Sequence, residues 1–544
     1  MLRRDFLTTS SLVMGMSAAG VGSAAQIRVS KSITENGARP DGKTLSTKAI
    51  QGAIDEVFRA GGGVVYVPAG TFLIGGLELK SRVMLYLEAG SVLLGSPSID
   101  DYPIHPGPPE HEDANGHHLI FAQKAEDIAI CGLGTIDGQG EAFWEPNHAV
   151  FSPEHMYQDV ASGHYAAKNN NERPSPMIEL VQCRNVRVSG VTLRNSAGWT
   201  MRPIGCETVV IDGVRIRNPY YGRNTDGFDI TASRNVMISN CDIITGDDAI
   251  CLKSENPYGD LLSTKNITVT NCVISTASNG FKMGTATNGA FENIVFSNSV
   301  IYTDDSSALN TRAIGGINIE MVDGGRVDGV IVSNIRMQNA RAPIFVRLGT
   351  RTPKPGSFLR NVLIENVDAV GSILASSITG VPGLRATDIT LNNCRFRTEE
   401  GGTADWVHRE VPEVSNHYPE SWMMGRLPAY GFYVRHADRV RLRGIEYITV
   451  KADSRPAIVC DDVDDVILSG LELSAPQGAA PLIDLRNSRR VFLSGMRVPP
   501  NCPVFTQVSG AMTSDIRLVG NSLRQDQRAV SCIDGAAESG VKVD

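Results

Sequence analysis

The chain has 544 residues, which is enough for several ordinary domains or for one long solenoid. It carries 51 Lys and Arg residues against 59 Asp and Glu residues, a formal net charge of −8, and no dense basic run. This charge argues against a nucleic-acid partner. The 54 glycines exceed average usage and, with many Asn and Asp residues, they predict short strands joined by tight turns.

The first 25 residues have the layout of an export signal. A twin-arginine-like stretch runs from Leu2 to Leu7, an apolar stretch from Leu12 to Val21, and small residues suited to a signal peptidase end at Ala25. The apolar stretch is too short to span a membrane, and no later segment is long and apolar enough to do so. We therefore predict that residues 1–25 are removed. The mature protein, residues 26–544, is expected to be periplasmic or secreted, without membrane insertion.

An amphipathic helix is predicted near the start of the mature chain. Apolar residues recur at helical spacing from Thr47 to Phe58, and the pattern stops at the glycines of 61–63. Strand-like sequence then begins at Gly63. Because the open end of a solenoid exposes its core and its unpaired strand edges, we predict that this helix caps the first coil.

Two sets of strand-like fragments recur along the middle of the chain. Members of the first set read small residue or Pro, apolar, variable, apolar, and they begin at Gly198, Gly227, Ala249, Gly280, Gly316 and Pro343. Members of the second set begin with Asn and alternate apolar residues, and they start at Asn185, Asn235, Asn266 and Asn293. Alternation sends apolar side chains inward, and Asn suits a turn in left-handed geometry. The uneven intervals predict a β-helix with loops of different length, because a β-sandwich does not explain this self-similarity.

The strand pattern breaks over two long stretches, from about residue 100 to 176 and from 400 to 428. We expect these stretches to be loops along a cleft, before strands resume at Gly431 and continue to about residue 520. Within the second stretch, Tyr418 to Gly425 is a candidate wall of a sugar subsite. There Trp422 is expected either to stack on a sugar or to anchor the loop. The whole mature chain is interpreted as one solenoid domain.

All ten cysteines follow the export signal and are scattered, with no CxxC pair. This argues against a zinc site, and no metal or other cofactor is predicted. Several cysteines fall at coil-like intervals and are interpreted as stacked core thiols: Cys183, Cys206, Cys241, Cys251 and Cys272. Export of an already folded protein also weakens the case for a disulfide framework.

Two acidic motifs lie about one coil apart, Asn224-Thr225-Asp226 and Gly246-Asp247-Asp248. Residues one coil apart stack at about 4.8 Å, so Asp226 and Asp248 should lie one above the other with Asp247 beside them. Such a cluster on one rigid face suits acid–base cleavage of a glycosidic bond. An isolated acidic pair is more often a turn former or an N-cap, but here two motifs agree in register.

These motifs resemble those of glycoside hydrolase family 28, the polygalacturonase family. The resemblance implies an all-β fold, a single-stranded right-handed parallel β-helix, and an inverting hydrolase of pectic polysaccharides or oligosaccharides. It implies that Asp247 is the general acid and that Asp226 and Asp248 hold and deprotonate the attacking water. Inversion should separate acid and base by about 6.5–9.5 Å, and crowding of the carboxylates should keep Asp247 protonated. Asn224, in the first motif, is expected to bind substrate.

The chain departs from the family pattern at two places. Lys282 stands where the family has a histidine, and it is expected to bind substrate or tune Asp247, or else to be a solvated surface lysine. Asn318 and Glu320 stand where the family grips a substrate carboxylate with basic residues. Glu320 would repel a uronate, so either Arg312 or Arg347 compensates or that subsite does not bind a uronate.

Lys253 points outward from the strand that follows Gly-Asp-Asp, and it either lines the cleft as a substrate-binding residue or is solvated. The long loops favour exo action, and a monomer is expected. Two alternative functions stay open. One is a polysaccharide lyase on the same scaffold, which would need Ca²⁺ and a basic residue such as Lys282. The other is a non-catalytic carbohydrate-binding β-helix.

Overall fold

The computed structural model describes residues 29–105, 115–150, 164–167, 172–255, 257–259, 262–303 and 313–544. The predicted export signal, residues 1–25, and Arg312 lie outside these residues. Within the described ranges, no helix has the length and apolar character needed to cross a membrane.

The described chain consists mainly of short β-strands. The strands before the central coils are β1 (Val29–Ser32), β2 (Asp41–Leu45), β3 (Gly63–Val67), β4 (Gly70–Ile74), β5 (Leu77–Glu78), β6 (Val83–Leu87), β7 (Ser91–Gly95), β8 (Ile120–Gln123), β9 (Glu126–Gly132), β10 (Thr135–Asp137), β11 (Trp144–Val150) and β12 (His164–Ala167). Because β8, β9 and β10 form a coil of the parallel sheet between residues 120 and 137, the predicted loop from about residue 100 to 176 is wrong over that part of the chain. The helices are α1 (Thr47–Arg59) and five short 3-10 turns, Ile33–Asn36, Ile99–Asp101, Gly140–Phe143, Ala404–Trp406 and Glu538–Gly540.

The central coils contain short strands that lengthen toward the C-terminal half. They are β13 (Ile178–Val181), β14 (Arg184–Ser189), β15 (Thr192–Arg194), β16 (Met201–Ile204), β17 (Glu207–Asp212), β18 (Arg215–Arg217), β19 (Phe228–Thr231), β20 (Arg234–Ser239), β21 (Asp242–Thr245), β22 (Ile250–Lys253), β23 (Thr264–Thr270), β24 (Val273–Thr276), β25 (Asn279–Met283), β26 (Ala290–Tyr302), β27 (Ala313–Met321), β28 (Arg326–Gln338), β29 (Ala340–Leu348), β30 (Phe358–Ser372), β31 (Ser376–Thr379) and β32 (Ala386–Thr398).

The last strands follow residues 399–431. They are β33 (Phe432–Thr449), β34 (Ile458–Ser469), β35 (Glu472–Leu473), β36 (Ile483–Arg486), β37 (Arg489–Ser494), β38 (Val504–Ser509), β39 (Ser514–Val519), β40 (Arg528–Ile533) and β41 (Val541–Val543). Strands therefore continue to Val543, beyond the predicted end near residue 520.

Apart from β11 and β12, each described strand pairs in parallel with its counterpart on the next coil. One face, here called the site sheet, is formed by β5, β8, β13, β16, β19, β22, β25, β27, β29 and β31, and it continues through the first residues of β33. Two further parallel faces begin with β1 and β2, while β11 and β12 form a separate antiparallel pair. The architecture is a single-stranded right-handed parallel β-helix, which confirms the predicted fold class.

Alternating apolar residues build the interior. In β20, Val236 and Ile238 are fully buried, whereas Met237 between them points outward and is 43% exposed. Val236 pairs in register with Ile267 of β23, so branched side chains stack along the axis. Burying one such Val or Ile side chain contributes about 1.5–3 kcal/mol to stability relative to leaving it exposed. Because every second residue of a strand is buried in this way, the alternating pattern in the sequence predicts the strands.

The predicted asparagine turns are present. Asn235, Asn266 and Asn293 have positive φ angles of 55–56°, in the left-handed region. Their side chains form a ladder in which Asn266 donates to Asn235 at 2.9 Å and Asn293 donates to Asn266 at 3.0 Å. On the coil between Asn185 and Asn235, Thr208 takes the same place with a φ of 59°, so this coil lacks the Asn by which the others could be predicted.

The predicted capping helix is confirmed as α1, which buries one apolar face against the first coils. Five of the six fragments in the first repeat set are in the predicted register, but the first is wrong by two residues because Met201, not Trp199, pairs with Phe228. A slip of two preserves alternation and is therefore invisible to the pattern. Trp199 packs on the outside of the β-helix, with the cations of Arg202 and Lys253 over its ring.

All ten cysteines are free thiols. Four of the five predicted core thiols belong to the main apolar core: Cys183, Cys206, Cys241 and Cys272. The interpretation is wrong for Cys251, which is buried but lies outside that core, in register between Asp229 and Lys282 on the site sheet.

Candidate active site

The two acidic motifs are locked together through Thr225. Its buried hydroxyl donates to the carbonyl of Gly222 at 2.9 Å and accepts from the backbone N–H of Gly246 at 3.0 Å. A Cβ atom on Gly246 would lie 2.5 Å from the carbonyl oxygen of Gly222 and 2.7 Å from that of Pro219. Only glycine therefore fits, and the Gly-Asp-Asp turn is held at a fixed distance from the Asn-Thr-Asp turn.

Asp226 and Asp248 lie one above the other, as predicted. Phe228 pairs with Ile250 on the next coil, and the backbone N–H of Gly227 donates to the carbonyl of Asp248 at 2.9 Å. The carbonyl of Asp247 accepts from the hydroxyls of two threonines, each at 2.6 Å. Asp226 and Asp248 are each only 4% exposed, whereas Asp247 is half-buried and reaches the surface.

The three carboxyl groups form one tight cluster. One oxygen of each lies within 4.8 Å of the other two. The separation of about 6.5–9.5 Å expected for inversion is therefore not found between these oxygens, which are closer than in the usual inverting pair. This spacing also suits the binding of one divalent cation by the same oxygens.

The carboxylate of Asp248 is held from the next coil. Its Oδ1 accepts from the Ser278 hydroxyl at 2.8 Å and from the side-chain amide of Asn279 at 2.7 Å, and its Oδ2 lies 3.0 Å from Lys282 Nζ. Burial alone would raise the pKa of Asp248, but Lys282, Lys253 and these hydrogen bonds outweigh it and lower the pKa below its usual value. Asp248 is thus ionised across the neutral range.

Asp226 is in the opposite electrostatic state. Burial, followed by the nearby charges of Asp229, Asp247 and Asp248, raises its pKa well above the usual value. The sequence predicted that crowding raises the pKa of one carboxyl, Asp247, and the structure shows a raised pKa at Asp226. The cluster therefore keeps a proton where an isolated carboxylate would have lost it.

Lys253 is buried beside the cluster, so the interpretation of a solvated lysine is wrong. Its Nζ lies 3.4 Å from Asp229 Oδ1 and 4.9 Å from the centre of the Trp199 ring, and its exposure is 5%. Burial raises the pKa of Asp229 to about 7, although Lys253 opposes the shift. Lys253 thus forms a buried ion pair with Asp229 on the same two coils as the acidic motifs.

Lys282 is also buried, with 1% exposure, and the solvated interpretation is wrong here too. Besides Asp248 it contacts Glu420 Oε1 and the Tyr418 hydroxyl, both at 3.3 Å. Glu420 and Tyr418 belong to residues 399–431, between β32 and β33, which we call the covering loop. The loop therefore folds over the site sheet at Lys282 and does not merely border a cleft.

Trp422 anchors the covering loop. It is 7% exposed and packs in one apolar cluster with Ile314, Ala342 and Leu374. The guanidinium carbon of Arg341 lies 5.4 Å from its ring centre. Of the two roles predicted for Trp422, the structure supports the anchor.

Asn318 and Glu320 are completely buried on the coil after Lys282. The Asn318 amide donates to Glu320 Oε1 at 3.4 Å, and burial raises the Glu320 pKa well above its usual value, although Lys282 opposes this. Because Glu320 is completely buried and paired with Asn318, the predicted repulsion of a uronate by Glu320 loses its basis. Arg347 holds the covering loop by donating to the carbonyls of Glu413 at 2.8 Å and Val414 at 3.3 Å.

Asn224 adopts left-handed geometry, with a φ of 52°, and remains partly exposed. Its Oδ1 accepts from Arg173 Nη2 and from Arg223 Nε, both at 3.1 Å. These two cations were not identified from the sequence. Arg223 directly precedes the motif and could have been noticed, whereas Arg173 lies in the irregular region before β13.

Asn279 and Glu420 are the other contributors that the sequence missed. Asn279 precedes Phe281 by two positions, just as Asp248 precedes Ile250, so the register alone places it beside Asp248. Glu420 is 141 residues away from Asn279 in sequence, and no periodic signal connects them.

Comparisons with known proteins agree with this geometry. Residues 64–405 match the sequence model of glycosyl hydrolases family 28. The chain is 28% identical to a probable polygalacturonase of Vitis vinifera over 71% of this chain and 78% of that one. It is 27% identical to an exo-poly-α-D-galacturonosidase of Dickeya chrysanthemi, covering 70% and 73% of the two chains. A family 28 exopolygalacturonase from Yersinia enterocolitica superposes with a TM-score of 0.61 at 20% identity, covering 81% of this chain and 79% of that one, which supports the fold.

Proposed function

The chain belongs to glycosyl hydrolases family 28 and is a glycosidase, and we propose that it hydrolyses galacturonate-containing pectic polysaccharides or oligosaccharides from a chain end. The observation that carries the proposal is the cluster of Asp226, Asp247 and Asp248, in which buried and half-buried carboxyls with different electrostatic states meet within 4.8 Å. The polygalacturonase relatives from a plant and a bacterium supply the substrate class.

In the proposed mechanism, Asp247 is the general acid, because it is the carboxyl of the cluster that reaches the surface. It protonates the glycosidic oxygen as the bond between that oxygen and the anomeric carbon breaks. Asp248, kept ionised by Lys282, and Asp226 orient a water molecule and take its proton as it attacks that carbon. The proton retained by the cluster belongs to the coupled set and not to one residue, so it can reside on Asp247 when substrate is bound.

The six residues that the sequence associates with substrate binding stay part of this proposal. Asn224 is the most accessible of those that the structure describes and is placed to contact a sugar directly. Lys253, Lys282 and Asn318 lie beneath the surface, and we propose that they act on substrate through the residues they hold. Glu320 is equally buried, and we propose that it acts in the same indirect way, through Asn318. Arg312, which lies outside the described residues, is proposed to contact a substrate carboxylate.

Exo action is supported by the covering loop. Because Tyr418 and Glu420 contact Lys282, which pairs with Asp248 from the next coil, the loop closes the site sheet on that side. A cleft closed at one end suits the terminal sugars of a polymer. An open cleft on both sides would instead suit cleavage within the chain.

The test measures release of reducing sugar from polygalacturonate, rhamnogalacturonan and a neutral galactan. Wild type is compared with Asp247→Asn and with Asp526→Asn, a matched change of an exposed aspartate far along the chain. We expect activity on polygalacturonate that falls by at least about 100-fold in Asp247→Asn and is unchanged in the control. Full activity in Asp247→Asn would remove that residue as the acid.

Three further readouts complete the experiment. Chelator-resistant activity is expected, and loss with chelator would instead indicate a cation bound by the cluster. Monomer or dimer release with a slow fall in viscosity indicates exo action, whereas a rapid fall indicates endo action. The anomeric configuration of the first product, followed by NMR, tests inversion, and a retained configuration would refute it despite the family resemblance.

We also propose that residues 1–25 direct twin-arginine export and that the mature protein is a periplasmic or secreted monomer without a nucleic-acid partner. The test is replacement of both Arg3 and Arg4 by Lys. We expect precursor to accumulate in the cytoplasm, and continued export would contradict the route. Size-exclusion chromatography with light scattering tests the monomer.

A further inference from the structure

Glu420 and Asp248 share the same two donors. Lys282 Nζ lies 3.0 Å from Asp248 Oδ2 and 3.3 Å from Glu420 Oε1. The side-chain amide of Asn279 donates to Asp248 Oδ1 at 2.7 Å and to Glu420 Oε2 at 3.4 Å. Glu420 of the covering loop and Asp248 of the acidic cluster thus bind the same ammonium group and the same amide, both from β25. We call these four side chains, Asp248, Asn279, Lys282 and Glu420, the bracket.

The bracket is shielded from water. Lys282 and Asn279 are at most 1% exposed, and the side chain of Glu420 is 13% exposed. The charged and titratable groups that face Glu420 are Lys282 on β25, Asp247 and Asp248 on the catalytic turn, Tyr418 on its own loop and Glu320 on β27. In such surroundings a shared ammonium group strongly couples the charges of its two partners.

We propose that Glu420 is a positioning residue of this hydrolase: by sharing Lys282 and Asn279 with Asp248, it fixes the Asp248 carboxylate and fastens the covering loop over the site. The inference rests on the proposed function, because it assigns Glu420 to the same reaction. It adds a residue from a loop that the acidic motifs do not include.

The shared contacts of Glu420 predict how activity depends on pH. Burial raises the pKa of Glu420 to about 7, with Lys282 opposing and Asp248 and Asp247 reinforcing the shift. Below that pH Glu420 is neutral and still accepts from Lys282, but of the two carboxyls that share Lys282 only Asp248 is charged. Above it, the ionised Glu420 adds a negative charge beside Asp247, which disfavours loss of the proton from the proposed acid. Glu420 therefore extends activity toward alkaline pH while leaving the acidic side unaffected.

The experiment uses the mature protein and measures kcat and KM separately on polygalacturonate from pH 4 to 9. Glu420→Gln removes the charge but keeps an oxygen that can accept from Lys282. Glu420→Asp keeps the charge on a shorter side chain. Glu410→Gln is the control, because Glu410 is an exposed carboxylate on the same loop.

In Glu420→Gln we expect the alkaline limb of the kcat profile to move down by about one pH unit, with the acidic limb unchanged and KM altered less than about twofold. Glu420→Asp should restore part of the alkaline limb, and Glu410→Gln should match wild type. An unchanged profile in Glu420→Gln overturns the proposal. So does a parallel fall in kcat and melting temperature with both limbs in place, because that pattern marks a purely structural contact.

A second measurement does not depend on activity. In Glu420→Ala, which removes both bracket contacts, we expect tryptic cleavage within residues 399–431 to accelerate at least about fivefold, as mapped by mass spectrometry. Unchanged cleavage refutes the fastening whether or not the enzyme is active. An inactive wild type with accelerated cleavage in the variant would refute the proposed function while supporting the loop contact.

Discussion

Replacing Lys282 by Met tests the electrostatic basis of the site most directly. Met preserves most of the buried volume but removes the ammonium group that lies 3.0 Å from Asp248 and 3.3 Å from Glu420. Burial would then act on Asp248 with less opposition. We expect the pKa of Asp248 to rise from below its usual value to above it.

The magnitude follows from the distance. Two unit charges 3.0 Å apart interact by about 5 kcal/mol at an effective dielectric constant of about 20. Residual water and the remaining donors, Ser278 and Asn279, reduce the effect, and measured effects of a close opposite charge are about 1–3 pKa units. We therefore expect the acidic limb of the kcat/KM profile to move up by about two pH units. Breaking this buried pair should also cost about 3–5 kcal/mol of stability.

The assay is initial-rate hydrolysis of polygalacturonate between pH 3 and 8, with thermal unfolding measured in parallel. The control is Lys43→Met, which changes an exposed lysine on the first coil. If Lys282→Met folds and its acidic limb coincides with that of wild type, Lys282 does not keep Asp248 ionised and the electrostatic reasoning is wrong. A profile shifted to lower pH would refute it equally.

Three further changes test the scaffold of the site. Gly246→Ala should destabilise the protein by about 1–3 kcal/mol in urea unfolding, because its Cβ would lie 2.5 Å from a backbone oxygen, whereas Gly52→Ala in α1, with 3.4 Å available, should be neutral or stabilising. Asp229 keeps its proton to a higher pH in the folded state, so its contribution to the free energy of unfolding should fall as pH rises from about 4 to 7. Asp229→Asn should remove this contribution when unfolding is measured as a function of pH. Arg347→Met should increase proteolysis within the covering loop, since it removes the donors to the carbonyls of that loop, and equal proteolysis would contradict this role.

The coils and the acidic cluster could be predicted because both depend on short-range periodicity. Buried Val and Ile residues alternate along each strand, so the register of β19, β22 and β25 could be obtained from the sequence. That register placed Asp226 over Asp248. The same register also places Asn279 beside Asp248, because Ile250 pairs with Phe281.

The covering loop could not be predicted because nothing periodic fixes its path. Its contacts to the site join Glu420 to residues 138 and 141 positions earlier. They depend on several separate anchors, including the Trp422 cluster and the Arg347 hydrogen bonds. Composition marked the segment as irregular and aromatic, and this was enough to suggest a subsite wall but not its position.

Alternation along a strand determines whether a side chain points into the β-helix or away from it, but not whether it contacts water. Lys253, Lys282 and Glu320 all occupy outward positions of their strands, yet all three are at most 5% exposed. The difference decides their chemistry. An outward lysine in water would be available to a substrate carboxylate, whereas the buried Lys282 is committed to Asp248 and Glu420. The two departures of this chain from the family pattern, at Lys282 and at Glu320, are therefore buried side chains, and Lys282 holds the Asp248 carboxylate of the acidic cluster.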